Sequence, residues 1–210
     1  MKPRADIKLT PATADHATLA ARLIYDSGYH NFGYQYEGEE NFCKLAAHMW
    51  GQPQAVWSHK WAIAAYAGDD MIGLELGWTA DQLAHEETNF DVLAVEALGP
   101  DLAKRAGARW PYLQFLMPVV PDDAYYLSNL ALVPETRGQR IGDLLLGNAF
   151  TNAKKAGLRE VHLDVASTKP AVGFYKRMGM ECRAETNMPP IAEHVPPHFR
   201  MVMDLTSWGD

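Results

Sequence analysis

The spacing of apolar residues divides the chain into strand-like and helix-like segments. Alternating apolar positions, typical of strands, occur at 7–9, 62–67, 71–78, 127–133, 160–165, 181–185 and 199–205. Apolar residues recur every three or four positions, as on one helix face, at 13–26, 41–50, 90–98 and 141–156. Strands that alternate with helices predict an α/β protein with one central sheet.

Two stretches, 27–36 and 79–123, lie between these regular segments. Residues 27–36 are rich in Gly, Asn and Tyr and predict a loop. Residues 79–123 separate a hairpin at 62–78 from the next strand, and structureless loops of that length are uncommon in compact domains. The spacing at 90–98, and again after Pro100, therefore predicts one or two helices inserted between two strands. With this insertion included, residues 1–210 are predicted to form one domain.

Composition narrows the class of protein. Hydrophobic residues make up 48% and charged residues 21% of the 210 positions, which is ordinary for a soluble globular protein. The net charge of −7 provides no basic surplus to neutralise phosphates, so nucleic acid is not an expected partner. Two cysteines, no apolar leader and no apolar run of membrane-spanning length predict a cytoplasmic protein that does not contact a membrane.

The segment 127–142 contains the strongest chemical signal. An apolar run ends at Pro134, a turn with Arg137, Gly138 and Arg140 follows, and helical spacing starts at Ile141. The first turn of a helix has unpaired backbone N–H groups and the positive end of the helix dipole, so this junction predicts an anion site. The nucleotide patterns GxxxxGK[ST] and GxGxxG are both absent.

A second segment follows the strand at 160–165. Thr168 can cap a helix, Pro170 suits its first turn, and Gly179 suits its end. These signals predict a short helix that carries Phe174 and Tyr175.

Together the two segments resemble the GNAT family (Gcn5-related N-acetyltransferases). The family pattern V-x-P-x-x-[RQ]-x-x-G-x-[GA] is matched at Pro134, Arg137 and Gly142, with Leu132 at its Val position and Val133 directly before the Pro. The pattern N-x-x-A-x-x-[FL]-Y-x-x-x-G-F is matched at Ala171, Phe174, Tyr175 and Gly179. The chain departs from these patterns with Arg140 for the first Gly, Thr168 for Asn and Met180 for Phe.

The resemblance implies a fold and a co-substrate. The implied GNAT fold is a mixed central sheet of about six to seven strands with a splayed pair of fourth and fifth strands, flanked by helices. The insertion at 79–123 would lie between the third and fourth strands. Acetyl-CoA is the implied co-substrate, and no metal is expected, since no Cys or His spacing suggests zinc. The implied coenzyme A contacts are Leu130, Ala131, Leu132, Val133, Arg137, Gly138, Gln139, Arg140, Ile141, Gly142, Asp143, Thr168 and Phe174.

The resemblance also implies that Tyr175 is the general acid that protonates the departing thiolate. Reference pKa values of about 10 for a phenol and about 8.5 for a thiol leave little driving force in either direction. The alternative for Tyr175 is a half-buried residue that packs its helix onto the sheet.

The general base is not identified by the sequence. Tyr126 stands where some family members have a strand-four Glu, Ser128 shares its predicted face, and Glu75 is the nearest carboxylate by pattern. For Glu75 the alternative is a solvated charge on a strand.

Two features suit a cationic acceptor. The insertion is rich in acidic residues, including Glu86 and Glu87, and the segment before the hairpin is rich in aromatic residues, including Tyr29 and Tyr34. A solvated helix face and aromatic packing are the alternative reading.

The sequence therefore predicts an N-acetyltransferase that acts on a primary amine of a small molecule or peptide. Transfer from another acyl-CoA and a non-catalytic acyl-CoA sensor or dimeric scaffold stay open as alternatives, as does a homodimer.

Overall fold

The architecture is a mixed sheet with helices on both faces. The computed structural model describes residues 6–86 and 89–209, so Glu87 lies outside the described residues, as does the side chain of Glu86. Within the described residues, seven strands form one sheet in the order β1-β2-β3-β4-β5-β7-β6. The strands are β1 (Ile7–Pro11), β2 (Ala62–Ala67), β3 (Asp70–Thr79), β4 (Ala124–Leu132), β5 (Glu160–Ala166), β6 (Glu181–Thr186) and β7 (His198–Asp204). β4 and β5 are parallel, whereas the other neighbouring strands are antiparallel. The predicted mixed sheet is confirmed.

Helices fill the connections between strands. They are α1 (Ala17–Ser27), α2 (Tyr29–Tyr36), α3 (Glu39–Trp50), α4 (Ala80–Glu86), α5 (Phe90–Leu98), α6 (Pro100–Gln114), α7 (Ile141–Lys155) and α8 (Ala171–Arg177). The insertion between β3 and β4 thus contains three helices among its described residues, where one or two were predicted. None of the helices within 6–86 and 89–209 combines the length and apolar character needed to span a membrane.

The predicted loop at 27–36 is wrong, because Ser27 ends α1 and Tyr29–Tyr36 form α2. Tyr36 is buried, and its ring and that of Phe32 pack against Phe42 of α3. Trp57 contacts the same rings. This aromatic burial stabilises a helix whose local Gly and Asn content favoured a turn, as tertiary packing commonly overrides local propensity.

The two faces of the sheet bury separate clusters. On the face that we call the α1 face, Leu74 and Leu76 pack with Ile24 of α1 and Phe42 of α3. On the opposite face, called the α7 face, Leu127 and Leu163 pack with Phe150 of α7 and Tyr175 of α8.

A gap opens between β4 and β5. Their pairing covers Ala124–Tyr126 against Glu160–His162 and ends there, while β4 continues to pair with β3 as far as Leu132. A register irregularity opposite Gly77 leaves Ser128 as an extra residue in β4, which is a β-bulge. Gly77 permits this close approach, because a Cβ there would lie 2.3 Å from the carbonyl oxygen of Tyr126. The fourth and fifth strands are therefore splayed, as the resemblance implied.

Candidate active site

The start of α7 presents unpaired backbone N–H groups. Leu144 donates its N–H to the carbonyl of Arg140 at 3.3 Å, whereas no backbone partner within the described chain accepts from Ile141, Gly142 or Asp143. These three N–H groups lie at the positive end of the helix dipole and beside the exposed Arg137. The junction therefore has the donors and the charge that an anionic group requires.

The backbone conformation at position 140 explains why the family pattern has a glycine where this chain has Arg140. Arg140 is the N-cap of α7 and has left-handed backbone angles, φ 64° and ψ 19°. Glycine populates this conformation without steric cost, which accounts for a glycine preference here. The Arg140 side chain extends into solvent and its Nε donates to Asp143 at 2.8 Å.

Phe174 brings the two sequence motifs together. Its ring would lie 3.4 Å from a Cβ placed on Gly142, and Leu132 would lie 3.9 Å from the same point. Helix α8 therefore packs against the start of α7 and the end of β4, at the mouth of the gap. The predicted capping role of Thr168 is wrong, because Pro170 is the N-cap of α8, no side chain caps the helix, and Thr168 is exposed.

Tyr175 is buried on the α7 face beside Leu127 and Leu163. Burial raises the pKa of its phenol above the usual value. A thiol in the same dry surroundings experiences a shift in the same direction, because desolvation disfavours both anions. The difference in pKa between the phenol and the thiol therefore depends on how deeply each group is buried.

Backbone groups of β4 point into the gap. Val133 donates its N–H to the carbonyl of Ile72 in β3 at 2.9 Å. Because backbone groups of successive strand residues alternate in direction, those of Leu130 and Leu132 point away from β3. Within the part of the chain described, no β5 residue pairs with them.

A buried ionic network crosses the base of the gap on the α1 face. Arg200 of β7 donates to both oxygens of Asp164 in β5, from Nε at 2.8 Å and from a terminal nitrogen at 2.6 Å. The two side chains are 5% and 2% exposed. Tyr126 of β4 donates its hydroxyl to Asp164 at 3.1 Å, and burial followed by the charge of Asp164 holds the pKa of that phenol well above its usual range. Tyr126 is therefore a donor to a carboxylate and not a base.

The same network fixes one histidine. Arg200 contacts Nδ1 of His162 at 3.3 Å, and an arginine can only donate. The hydrogen of the neutral imidazole is thus assigned to Nε2, which lies 2.7 Å from Glu160. His162 is therefore a buried residue that is engaged at both ring nitrogens.

Ser27, at the end of α1, is hydrogen-bonded to two residues outside the predicted site, Asn129 and Lys169. Buried Asn129 donates its amide to Ser27 Oγ at 2.7 Å, while its Oδ1 has no partner within the described chain. Lys169 donates Nζ to the carbonyls of Asp26 and Ser27 at 2.8 and 2.6 Å. Burial lowers the pKa of Lys169 to about 8. Because Lys169 follows β5, its hydrogen bonds to Asp26 and Ser27 link the end of β5 to the end of α1.

The residues selected from sequence for acceptor binding do not form one group. The centroid of the Tyr29 ring lies 4.6 Å from Nζ of Lys169. Tyr34, in contrast, stacks on His194 and contacts Arg109 of α6. Ser128 is the extra residue of the β-bulge. Because this extra residue shifts the alternation of side chains by one position, Asn129 lies on the α1 face together with Tyr126.

Glu75 lies apart from these residues, on the α7 face. It is buried, accepts from the hydroxyl of Tyr125 at 3.2 Å, and has a pKa that burial raises to about 8. The alternative of a solvated strand charge is therefore wrong, and Glu75 is separated by the sheet from Tyr126.

Acidic residues of the insertion lie on the exterior. The described side chains of Asp81, Asp91, Glu96, Asp101, Asp122 and Asp123 are exposed.

The buried network of His162, Asp164 and Arg200 is visible in the sequence as an alternation of polar residues in β5 and β7. Polar side chains at every second position of a strand share one face of the sheet.

Comparisons with known proteins agree with this geometry. The model of the acetyltransferase (GNAT) family matches residues 107–180. A putative [ribosomal protein bS18]-alanine N-acetyltransferase of Bacillus subtilis (strain 168) is 35% identical over 107 residues, which are 50% of this chain and 64% of that protein. The chain thus aligns with less than two thirds of this relative's length.

Two solved structures have a similar fold. An N-acetyltransferase from Staphylococcus aureus Mu50 is 12% identical with a TM-score of 0.71 over 93% of this chain and 100% of that chain. The PaiA N-acetyltransferase from Thermoplasma acidophilum, in complex with coenzyme A, is 14% identical with a TM-score of 0.56 over 95% of this chain and 99% of that chain. The splayed sheet and these similarities show that the chain has the fold of the GNAT acetyltransferases, and residues 107–180 match the model of that family.

Proposed function

We propose that the protein transfers an acetyl group from acetyl-CoA to a primary amine of a peptide or protein. The observation that carries the proposal is the gap between β4 and β5, which leads directly to the unpaired N–H groups at the start of α7. The Bacillus subtilis relative is named for the alanine of a ribosomal protein, which favours a peptide amine over a small-molecule amine.

The chain's own groups fit the parts of acetyl-CoA. The N–H groups of Ile141, Gly142 and Asp143, together with Arg137, suit the pyrophosphate. The outward backbone groups of Leu130 and Leu132 suit the amides of the pantetheine arm, which is extended like a strand. Phe174 closes the mouth of the gap beside Gly142.

The reaction is a direct displacement. The neutral amine attacks the thioester carbon, an N–C bond forms, and the carbonyl oxygen becomes an oxyanion that a backbone N–H of β4 stabilises. The C–S bond then breaks, its electron pair goes to sulfur, and the hydroxyl of Tyr175 supplies the proton to the thiolate. Tyr175 regains a proton from the acylated nitrogen, so the phenol ends the cycle protonated.

Thiol release from acetyl-CoA tests the function. The panel contains peptides with free N-terminal alanine, the same peptides with an acetylated N-terminus, lysine-containing peptides and polyamines. Turnover with the free N-terminal peptides and none with their acetylated controls is expected. Binding of coenzyme A without turnover of any amine would instead support the acyl-CoA sensor.

The role of Tyr175 has its own test. Tyr175→Phe should lower kcat by about 100-fold or more and leave the KM for acetyl-CoA within about twofold, because the lost group acts on the leaving thiolate. Tyr112→Phe, on the exposed surface of α6, is the control. A kcat equal to that of the wild type would remove Tyr175 from the mechanism.

A further inference from the structure

His198 lies on the α1 face, where the proposed reaction lacks a base. It begins β7 opposite Ala166 of β5, and Arg200 two residues later is opposite Asp164. Side chains at alternate positions share a face, and the contact of Arg200 with Asp164 fixes which face this is. The imidazole of His198 is therefore on the same side of the sheet as Tyr126 and Asn129, and the residue is 3% exposed.

The hydrogen-bond partner of His198 determines its tautomer. Nδ1 lies 2.9 Å from the carbonyl oxygen of Pro196, which can only accept. The hydrogen of the neutral ring is therefore assigned to Nδ1, which leaves a lone pair on Nε2. No described residue makes a hydrogen bond to Nε2. This arrangement is the one that a general base requires, since the ring is held at one nitrogen and can accept at the other.

The surroundings keep the ring neutral. Burial lowers the pKa of His198, and the charges of His30 in α2 and Lys169 in the β5–α8 connection lower it further. The carbonyl of Pro196 and the carboxylate of Asp164 in β5 oppose this shift. Arg200 lies on the same strand and face, and the facing residue of β6 is the uncharged Thr186.

The other carboxylates near the gap are engaged. Asp164 accepts from Arg200 and from Tyr126. Glu160 is bound to His162, opposite the paired end of β4, and Glu75 lies on the α7 face. His198 is thus a titratable group on the α1 face whose accepting atom has no hydrogen-bond partner among the described residues.

We propose that Nε2 of His198 accepts the proton that an ammonium acceptor must lose before it attacks, an inference that rests on the proposed function. One N–H bond of the ammonium breaks, its electron pair stays on nitrogen, and the proton forms an imidazolium beside Asp164. The amine then attacks the thioester, and His198 returns its proton to solvent after the product leaves.

The test compares His198→Gln with His194→Gln, an exposed histidine of the preceding loop. At pH 7, kcat of His198→Gln should fall by about 100-fold, and the loss should shrink as pH rises and the amine loses its proton without help. The KM for acetyl-CoA and the thermal shift induced by coenzyme A should stay at the wild-type values. His194→Gln should keep wild-type kcat at every pH.

Several outcomes would overturn the proposal. A His198→Gln variant with wild-type kcat at pH 7, or with a loss that does not vary with pH, would remove His198 as the base. Wild-type protein that turns over no amine would overturn the proposed function as well, so the two failures are distinguishable. Because the variant could also misfold, ¹⁵N NMR of the wild type with coenzyme A provides a second measurement. It should show His198 neutral at pH 7 with hydrogen on Nδ1, and a charged ring or hydrogen on Nε2 would contradict the proposal.

Discussion

Replacement of Arg200 tests how much the buried network contributes to stability. Arg200 donates to both oxygens of Asp164, to Nδ1 of His162 and to the carbonyl of Pro118. Arg200→Met leaves Asp164 with an uncompensated charge in surroundings where its side chain is 2% exposed. Removal of one partner of such a pair typically costs about 3–5 kcal/mol of unfolding free energy. That is a large fraction of the roughly 5–15 kcal/mol that stabilises a typical domain.

Urea unfolding followed by circular dichroism measures the loss. The control is Arg183→Met on β6, because Arg183 is 48% exposed and lies 3.6 Å from Glu181 and 3.9 Å from Glu160. An exposed pair of this kind contributes about 0–1 kcal/mol, so the control should be nearly as stable as the wild type.

A double variant separates charge burial from packing. Asp164→Asn together with Arg200→Met should recover about 1 kcal/mol or more relative to Arg200→Met alone, because a neutral amide costs less to bury than a carboxylate. A loss below about 1 kcal/mol for Arg200→Met, or a double variant less stable than the single one, would refute the reasoning.

Two further predictions concern residues with unusual backbone or protonation. Arg140→Gly should stabilise the protein by about 0.5–1 kcal/mol in thermal unfolding, because relief of the left-handed backbone outweighs an ion pair to Asp143 whose arginine side chain is 78% exposed. Arg140→Ala, which loses the pair but keeps the strain, should be less stable than Arg140→Gly, and the reverse order would contradict this account. Glu75 has a pKa raised to about 8, so the folded state binds more protons than the unfolded state between roughly pH 4.5 and 8. Its contribution to stability therefore decreases as pH rises through that range, and the stability of Glu75→Gln relative to the wild type should increase from pH 5 to pH 8. A difference that is constant across this range would show that Glu75 is ionised in the folded protein.

The elements with clear periodicity were predictable, and those that depend on tertiary burial were not. The hairpin of β2 and β3 and the helix after Arg140 follow from apolar spacing and turn residues. Helix α2 does not, because its stability comes from aromatic packing onto α3 and Trp57, which is distant in sequence. The order of the last two strands was likewise not predictable, since β7 inserts between β5 and β6.

The candidate site likewise combines parts that local sequence predicts with parts that depend on tertiary contacts. The turn before α7 and the helix with Phe174 and Tyr175 were recognisable because each is encoded in a continuous segment. Asn129, Lys169 and His198 were missed, because their partners come from α1, α2 and the loop before β7. A bulge in β4 also moved the expected alternation by one residue, so that Asn129 and not Ser128 reaches Ser27.

The interior position of β7 has a consequence for biosynthesis. His198 and Arg200 both belong to this strand, which pairs on one side with β5 and on the other with β6. During translation, β5 and β6 emerge before the strand that separates them, so that β5 has one unpaired edge and β6 has no pairing strand until β7 arrives. A nascent chain or a truncated product that ends before residue 198 would therefore expose the edge of β5, leave β6 unpaired and lack His198 and Arg200. Both the sheet and the proposed catalytic centre are therefore incomplete until β7 is in place.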